Sequence, residues 1–198
     1  MAAYVTMPLG AYQTNCYLLY QPDRQDCLVI DPGYEPDEIL SRVQQMGKTV
    51  AAVLLTHGHF DHVGAVRELV AETGCPVYIH RQELTMPLQI TAGKLYYTHL
   101  YEDGDMLELA GLKIRVHHTP GHTPGSVCLE TEGLLFTGDT LFAGSCGRTD
   151  LPGGSWQTIL DSLNRLRQFD AELAVLPGHG ESSTIGREIR YNPFLNER

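Results

Sequence analysis

Three histidines and an aspartate crowd into Thr56-His57-Gly58-His59-Phe60-Asp61-His62. In an extended stretch, side chains i and i+2 point the same way, so His57 and His59 can close on one cation like pincers. Asp61 and His62 come next. If the chain turns there, this pair faces a neighbouring point in space, and one short motif offers ligands to two adjacent metal ions. The bland reading is a histidine-rich surface loop, which gives no reason for matching residues elsewhere in the chain.

Matching residues do occur, each just beyond an apolar run. Residues 50–55 lead into the motif. Residues 112–116 lead through Thr119-Pro120-Gly121 to His122, residues 134–137 through Gly138 to Asp139, and residues 173–176 through Pro177-Gly178 to His179. Residues 28–30 lead to Asp31. Apolar runs of this length read as buried strands, and the loop leaving a strand's C-terminal end is the usual place for a site in open α/β sheets. Sorted by chemistry, His57, His59 and His122 would bind one ion, and Asp61, His62 and His179 the other. Asp139, with two carboxylate oxygens, is the natural bridge. Nitrogen and oxygen ligands without thiolate suit zinc, iron or manganese. Asp31 is either a support, hydrogen-bonded to a ligand histidine or to the motif backbone, or a plain turn aspartate in Asp-Pro-Gly. His118 is expected to be structural or a support to the ligands; His80, His99 and His117 are expected to be exposed or packed.

The elements that must position these residues follow from periodicity. Residues 5–9 and 16–20 read as two strands joined by a turn, and 28–30 as a third. Pro36 fits the first turn of a helix whose stripe is Ile39, Leu40, Val43 and Met46, with Gly47 at its C-terminal cap. After strand 50–55, the stripe Val63, Val66, Leu69 and Val70 makes a second helix ended by Gly74, and 77–79 is the next strand. This alternation argues for βαβ units with parallel strands. Residues 81–104 read as a short helix and then a loop bordering the site. Tyr96 and Tyr97 there either contact substrate or pack. Two hairpins follow, 106–109 with 112–118 and 126–130 with 134–137. Ser155 can cap a helix bearing Ile159, Leu160, Leu163 and Leu166; 173–176 is a last strand and 184–191 a last helix. Both halves run strand-rich and then helical, which predicts an α/β fold of two sheets packed face to face with helices outside.

The 198 residues suit one domain spanning the chain. Apolar residues make up 42% and charged residues 19%, ordinary for a soluble globular protein. No apolar run approaches the ~20 residues of a membrane span, and the N-terminus lacks signal-peptide features, so the expected setting is cytoplasmic with no membrane partner. A net charge of −10 disfavours nucleic acid, whose binding rests largely on lysine and arginine contacts to phosphate. Five cysteines with no Cys-x-x-Cys argue for thiols in a reducing compartment rather than a disulfide framework. Cys146, in a glycine-flanked loop, is the one to watch.

Thr-His-Gly-His-Phe-Asp-His, the later Pro-Gly-His, Gly-Asp-Thr and Pro-Gly-His together resemble the metallo-β-lactamase superfamily over nearly the whole chain. The resemblance implies an αββα sandwich of two mixed sheets flanked by helices, with a dinuclear metal site at one edge and the ligands sorted above. The main type of metallo-β-lactamase usually has cysteine where this chain has Asp139, so the aspartate points to the glyoxalase II-like side. The segment from Gly138 to Arg148 is similar to its counterpart in glyoxalase II, where a basic residue at the Arg148 position helps hold the glutathione moiety. The aromatic residues that often follow are Thr149 and Asp150 here, and Gly147-Arg148-Thr149-Asp150 also looks like persulfide dioxygenases. Pro177-Gly178-His179-Gly180-Glu181, Thr184-Ile185-Gly186-Arg187-Glu188 and Asn192-Pro193-Phe194 look more like the short, single-domain bacterial glyoxalase II group, which lacks the helical C-terminal domain of the longer enzymes. The implied activity is hydrolysis of S-2-hydroxyacylglutathione, such as S-D-lactoylglutathione, by a metal-activated hydroxide. Asp61 would accept a proton or orient the nucleophile. The alternatives are a mono-iron persulfide dioxygenase using His57, His122 and Asp139, a lactonase, esterase or nuclease on the same scaffold, and a non-catalytic metal-binding module.

Overall fold

Period-two alternation in the strands determines how the layers form. In residues 16–19, Cys16 and Leu18 join one apolar cluster while Tyr17 and Leu19 join another. Val29 and Leu28 divide in the same way, as do Val53 and Ala52. Strands buried on both faces read as continuous apolar runs, as these do. The computed structural model describes residues 1–91 and 93–196. The first sheet has six strands in the order β1 (Ala3–Leu9), β2 (Thr14–Tyr20), β3 (Asp26–Ile30), β4 (Thr49–Leu54), β5 (Val77–His80) and β6 (His99–Tyr101). The β1–β2 and β2–β3 pairs are antiparallel, and the pairs from β3 to β6 are parallel. Helices α1 (Pro36–Gln45), α2 (Phe60–Val63) and α3 (Val66–Thr73) lie in the crossovers. Ile39, Val43, Val66 and Leu69 pack on the outer face of this sheet.

The second sheet is built from β7 (Met106–Leu109), β8 (Leu112–His118), β9 (Val127–Thr131), β10 (Leu134–Gly138), β13 (Ala174–Pro177) and β14 (Ser183–Thr184), in the spatial order β14-β13-β10-β9-β8-β7. A small ribbon, β11 (Leu141–Phe142) with β12 (Ser145–Cys146), projects beyond β10. Strands β8, β10 and β13 run in one direction. Leu112, Ile114, Val116, Leu129, Phe136 and Leu176 face the first sheet's Leu19, Leu28, Ile30 and Leu54, forming the core between the sheets. On the other side, Leu135 and Val175 meet α4 (Trp156–Leu166) and α5 (Ile185–Tyr191) through Leu163, Leu166 and Ile185. Leu195 of α6 (Pro193–Asn196) joins the same cluster. The result is two mixed sheets flanked by helices, as expected.

The differences from the sequence reading are local. The stripe from Val63 to Val70 is two helices, because the chain breaks at Gly64 and Ala65 and the Ala65 N–H turns to the Pro32 carbonyl at 3.0 Å. Residues 81–104 hold a 3₁₀ turn, Arg81–Thr85, and a strand, β6, that its three residues made illegible. The two-residue strands β11, β12 and β14 also carry no pattern of their own.

Candidate metal centre

Every chemistry-bearing loop leaves the C-terminal end of a strand: Asp31 after β3, the histidine motif after β4, His122 after β8, Asp139 after β10 and His179 after β13. Parallel and same-sense strands bring these ends to one edge. His59 is extended (φ −64°, ψ 147°), and the chain then coils directly into α2, which carries Asp61 and His62. His57 and His59 gather with His122, and Asp61 and His62 with His179, while His57 and His62 also lie together with ring centroids 4.1 Å apart.

Three clusters of possible metal-holding atoms result: His57, His59 and His122; Asp61, His62 and His179; and Asp31, His57 and His62. Within each, the ligand-type atoms lie within 4.8 Å of one another. Nδ1 of His59 stands 2.9 Å from Nε2 of His122. Asp139 lies between the first two clusters. Its Oδ2 is 3.5 Å from His122 Nε2 and 3.5 Å from His179 Nε2, and its Oδ1 is 3.4 Å from His62 Nε2. Asp61 Oδ2 is 3.3 Å from His179 Nε2 and 3.7 Å from His62 Nε2. Nε2 of His57, His59 and His62 and Oδ1 of Asp139 are buried without a hydrogen-bond partner. Such atoms are costly to bury alone. A donor set of imidazole nitrogens and carboxylate oxygens fits a divalent cation of the zinc, iron or manganese kind.

The electrostatics keep His57, His59, His122 and Asp139 in ligand form. The burial that lowers His62 is outweighed by Asp139 and Asp31, and that of His179 by Asp61 and Asp139, so the pKa of each of these two rings is raised. Burial, then crowding by His62, His122, His59 and His179, holds His57 well below the ordinary histidine range, so its ring is neutral. Burial and His122 push His59 down to about 4, and burial likewise lowers His122. Burial alone would raise Asp139, but His62, His122 and His179 outweigh it and keep the carboxylate ionised.

Several of the ligand-type side chains are braced. Asp31 Oδ1 accepts the Thr56 N–H at 2.7 Å, and Oδ2 accepts the Thr56 hydroxyl at 2.6 Å and faces His62 Nδ1 at 3.0 Å. These contacts tie Asp31 to the backbone and side chain of the motif's first residue and to His62. The Thr14 hydroxyl donates to Asp61 Oδ2 at 3.2 Å. His122 Nδ1 meets the Arg148 carbonyl at 2.7 Å, and His179 Nδ1 the Tyr12 carbonyl at 3.2 Å. Gly178 must lack a side chain, because a Cβ there would overlap Asp139 Oδ1. His118 touches none of the ligand-type atoms. Its Nε2 meets the Pro124 carbonyl at 2.8 Å, bracing the loop just past His122.

His59, Asp61, His122, Asp139 and His179 form the floor of a cavity of about 520 Å³, and His57 and His62 are fully buried. Tyr12, Phe60, Ile90, Phe142 and Leu151 make apolar walls, and Ser145, Cys146 and Arg148 complete the lining. The Arg148 guanidinium forms a two-pronged ion pair with Asp150, both contacts at 2.7 Å. Tyr96 and Tyr97 do not line this cavity. Tyr96 packs under Arg67, and Tyr97 borders a separate groove with Leu84 and Leu88. Sequence reasoning missed Thr14, Tyr12 and Glu83. Thr14 opens an apolar strand with a polar pair, a faint signal; Tyr12 meets His179 through its backbone carbonyl, which no side-chain pattern marks, and Glu83 stands in an unpatterned turn.

The same features recur in known proteins. The family model described as the metallo-β-lactamase superfamily matches residues 9–179. Hydroxyacylglutathione hydrolase GloC of Haemophilus influenzae is 34% identical over 97% of each chain. Among solved structures, the BLEG-1 B3 metallo-β-lactamase superposes with a TM-score of 0.91 at 36% identity, covering 98% of this chain and 100% of that one. TTHA1623 in a di-iron-bound form superposes at 0.85 with 38% identity, covering 96% and 100%. With its sandwich fold, its clustered histidines and aspartates and this likeness along nearly its whole length, the chain belongs to the metallo-β-lactamase superfamily.

Proposed function

We propose that this metallo-hydrolase cleaves thioesters of glutathione, S-2-hydroxyacylglutathione such as S-D-lactoylglutathione, to a 2-hydroxy acid and the free thiol. The observation that carries the reading is the convergence of seven ligand-type side chains, four of their polar atoms unpartnered among the described residues, at one apolar-walled cavity that five of them, His59, Asp61, His122, Asp139 and His179, line. His57, His59 and His122 would hold one divalent ion, Asp61, His62 and His179 a second, and Asp139 would bridge them. Two such ions supply Lewis acidity toward a carbonyl oxygen and a water acidified toward neutrality. Zinc is the leading choice, and the di-iron form of TTHA1623 keeps iron beside it.

The chain's own residues do the rest. Asp61, held by Thr14, is placed to orient the attacking water or accept its proton at a carboxylate oxygen. Tyr12, Phe60, Ile90, Phe142 and Leu151 exclude bulk water from the thioester, which strengthens the electrostatic contacts inside. The leaving thiol has a pKa near ~8.5, so no protein acid is needed to expel it. Arg148 at the cavity wall would hold a glutathione carboxylate. The likeness to GloC supports glutathione as the carrier.

A persulfide dioxygenase is favoured by one feature, the run Gly147-Arg148-Thr149-Asp150, and would use one iron on His57, His122 and Asp139. The likeness to BLEG-1 brings β-lactams into the same test. Metal analysis of the wild type should find two divalent ions per chain, and Asp139→Ala should lose metal and thioesterase activity together. Activity that survives with the metal lost contradicts the bridge. Oxygen uptake on glutathione persulfide, or β-lactam hydrolysis in place of thioester cleavage, would replace the reading.

A further inference from the structure

Glu83 is fully buried, with a relative exposure of 0%. Among the described residues, none of the ion pairs includes it. Three donors meet its carboxylate instead. Oε2 accepts the Gly58 N–H at 2.6 Å. Oε1 accepts the Thr123 hydroxyl at 2.6 Å and the Gly125 N–H at 2.7 Å. Gly58 lies between His57 and His59, and Thr123 and Gly125 follow His122. One carboxylate therefore ties together the two loops whose histidines face each other at 2.9 Å.

The fit is close on both sides. A Cβ on Gly58 would stand 2.9 Å from Oε2, and a Cβ on Gly125 would stand 2.8 Å from Oε1. Glu83 reaches this place from the 3₁₀ turn after β5, a strand end that supplies none of the proposed ligands. The other ligand cluster is braced by different groups. Thr14 holds Asp61, Asp31 holds His62, and the Tyr12 carbonyl holds His179.

We propose that Glu83 is a positioning residue that clamps the His57–His59 loop to the His122 loop and so sets the affinity of that one metal position without setting the other. This rests on the metal-centre reading above. A glutamine keeps the shape but has one acceptor oxygen and an NH₂ group. That NH₂ would face a backbone N–H with no lone pair to offer it. The two loops would then lose part of their common anchor. Loss of partners that orient metal ligands typically weakens metal binding by about 10- to 100-fold.

The test is a zinc titration of chelator-stripped protein against a competing chromophoric chelator. His122→Ala and His179→Ala assign the two binding steps. In Glu83→Gln, the step that His122→Ala removes should weaken by about 10- to 100-fold, while the step that His179→Ala removes stays unchanged. Thr123→Val should weaken the same step to a smaller degree, and Thr123→Ser, which keeps the hydroxyl, should restore it. Equal weakening of both steps, or of neither, overturns the clamp. If Glu83→Gln does not fold, the Thr123 pair decides: no difference between valine and serine overturns the proposal. A wild-type protein that binds no zinc at all refutes the metal-centre reading itself, before any variant is made.

Discussion

Among the described residues, Nε2 of His57, His59 and His62 and Oδ1 of Asp139 are buried without hydrogen-bond partners. Each such atom costs about 1–3 kcal/mol, a cost that a bound cation removes. At the same scale, the charge of Arg148 is already engaged by Asp150, which the pairing holds at a pKa of about 2. Asp150→Asn should therefore release the guanidinium to a substrate carboxylate and lower KM for an anionic glutathione thioester by roughly two- to fivefold, with kcat little changed. Steady-state kinetics on S-D-lactoylglutathione would check this, and a raised KM would mean that Asp150 itself holds the substrate. The seven ligand-type residues were legible because they sit at short spacings or behind a glycine turn at the end of an apolar run. Glu83 was not, because a single glutamate in Arg81-Gln82-Glu83-Leu84 has no spacing to read. Tyr96 and Tyr97 stayed ambiguous because aromatic side chains are as suited to packing as to substrate contact.

Strand ends also meet directly. The His80 ring, last in β5, stacks on the His118 ring, last in β8, with centroids 4.2 Å apart, so the two sheets touch there through imidazoles. Burial first, then His118 and Arg81, hold His80 down at about 4, against the raising influence of Glu102 and Asp103. The folded pKa is depressed from 6.5, so the neutral ring's contribution is complete above pH 6.5 and is lost as pH falls toward 4. His80→Phe keeps an aromatic ring without the titration. Its stability loss between pH 7.5 and 4.5, measured by urea unfolding of metal-free protein, should be smaller than the wild type's by on the order of 2 kcal/mol. Equal losses would contradict the assignment to His80. The long strands, both hairpins and the capped helix α4 were readable because period-two and 3.6-residue patterns are strong in runs of that length. Strand β6 and the two-residue strands were not, because their existence depends on neighbours that the local sequence does not name.

Over the whole molecule, the proposed metal centre is a seam. One sheet supplies Asp31, His57, His59, Asp61 and His62, and the other supplies His122, Asp139 and His179. Backbone contacts fasten the two together beside it: the Asn15 N–H reaches the Gly178 carbonyl at 2.8 Å, and the Asn15 amide donates to the carbonyls of Pro177 and Gly180. Bound cations would thus join two halves that each fold around their own apolar clusters. They would also offset locally a chain whose net charge is −10, easing entry of an anionic substrate. None of the described helices is long and apolar enough to cross a membrane. The sandwich was readable because its central strands are apolar on both faces; the substrate was not, because the cavity walls come from loops whose meeting depends on the whole fold. Thiol release from S-D-lactoylglutathione by purified protein, before and after chelation, tests the central claim most directly. Release well above that of free metal, abolished by the chelator and restored by zinc or iron, is the expected result. No release from fully metal-loaded protein would contradict the thioester hydrolase account.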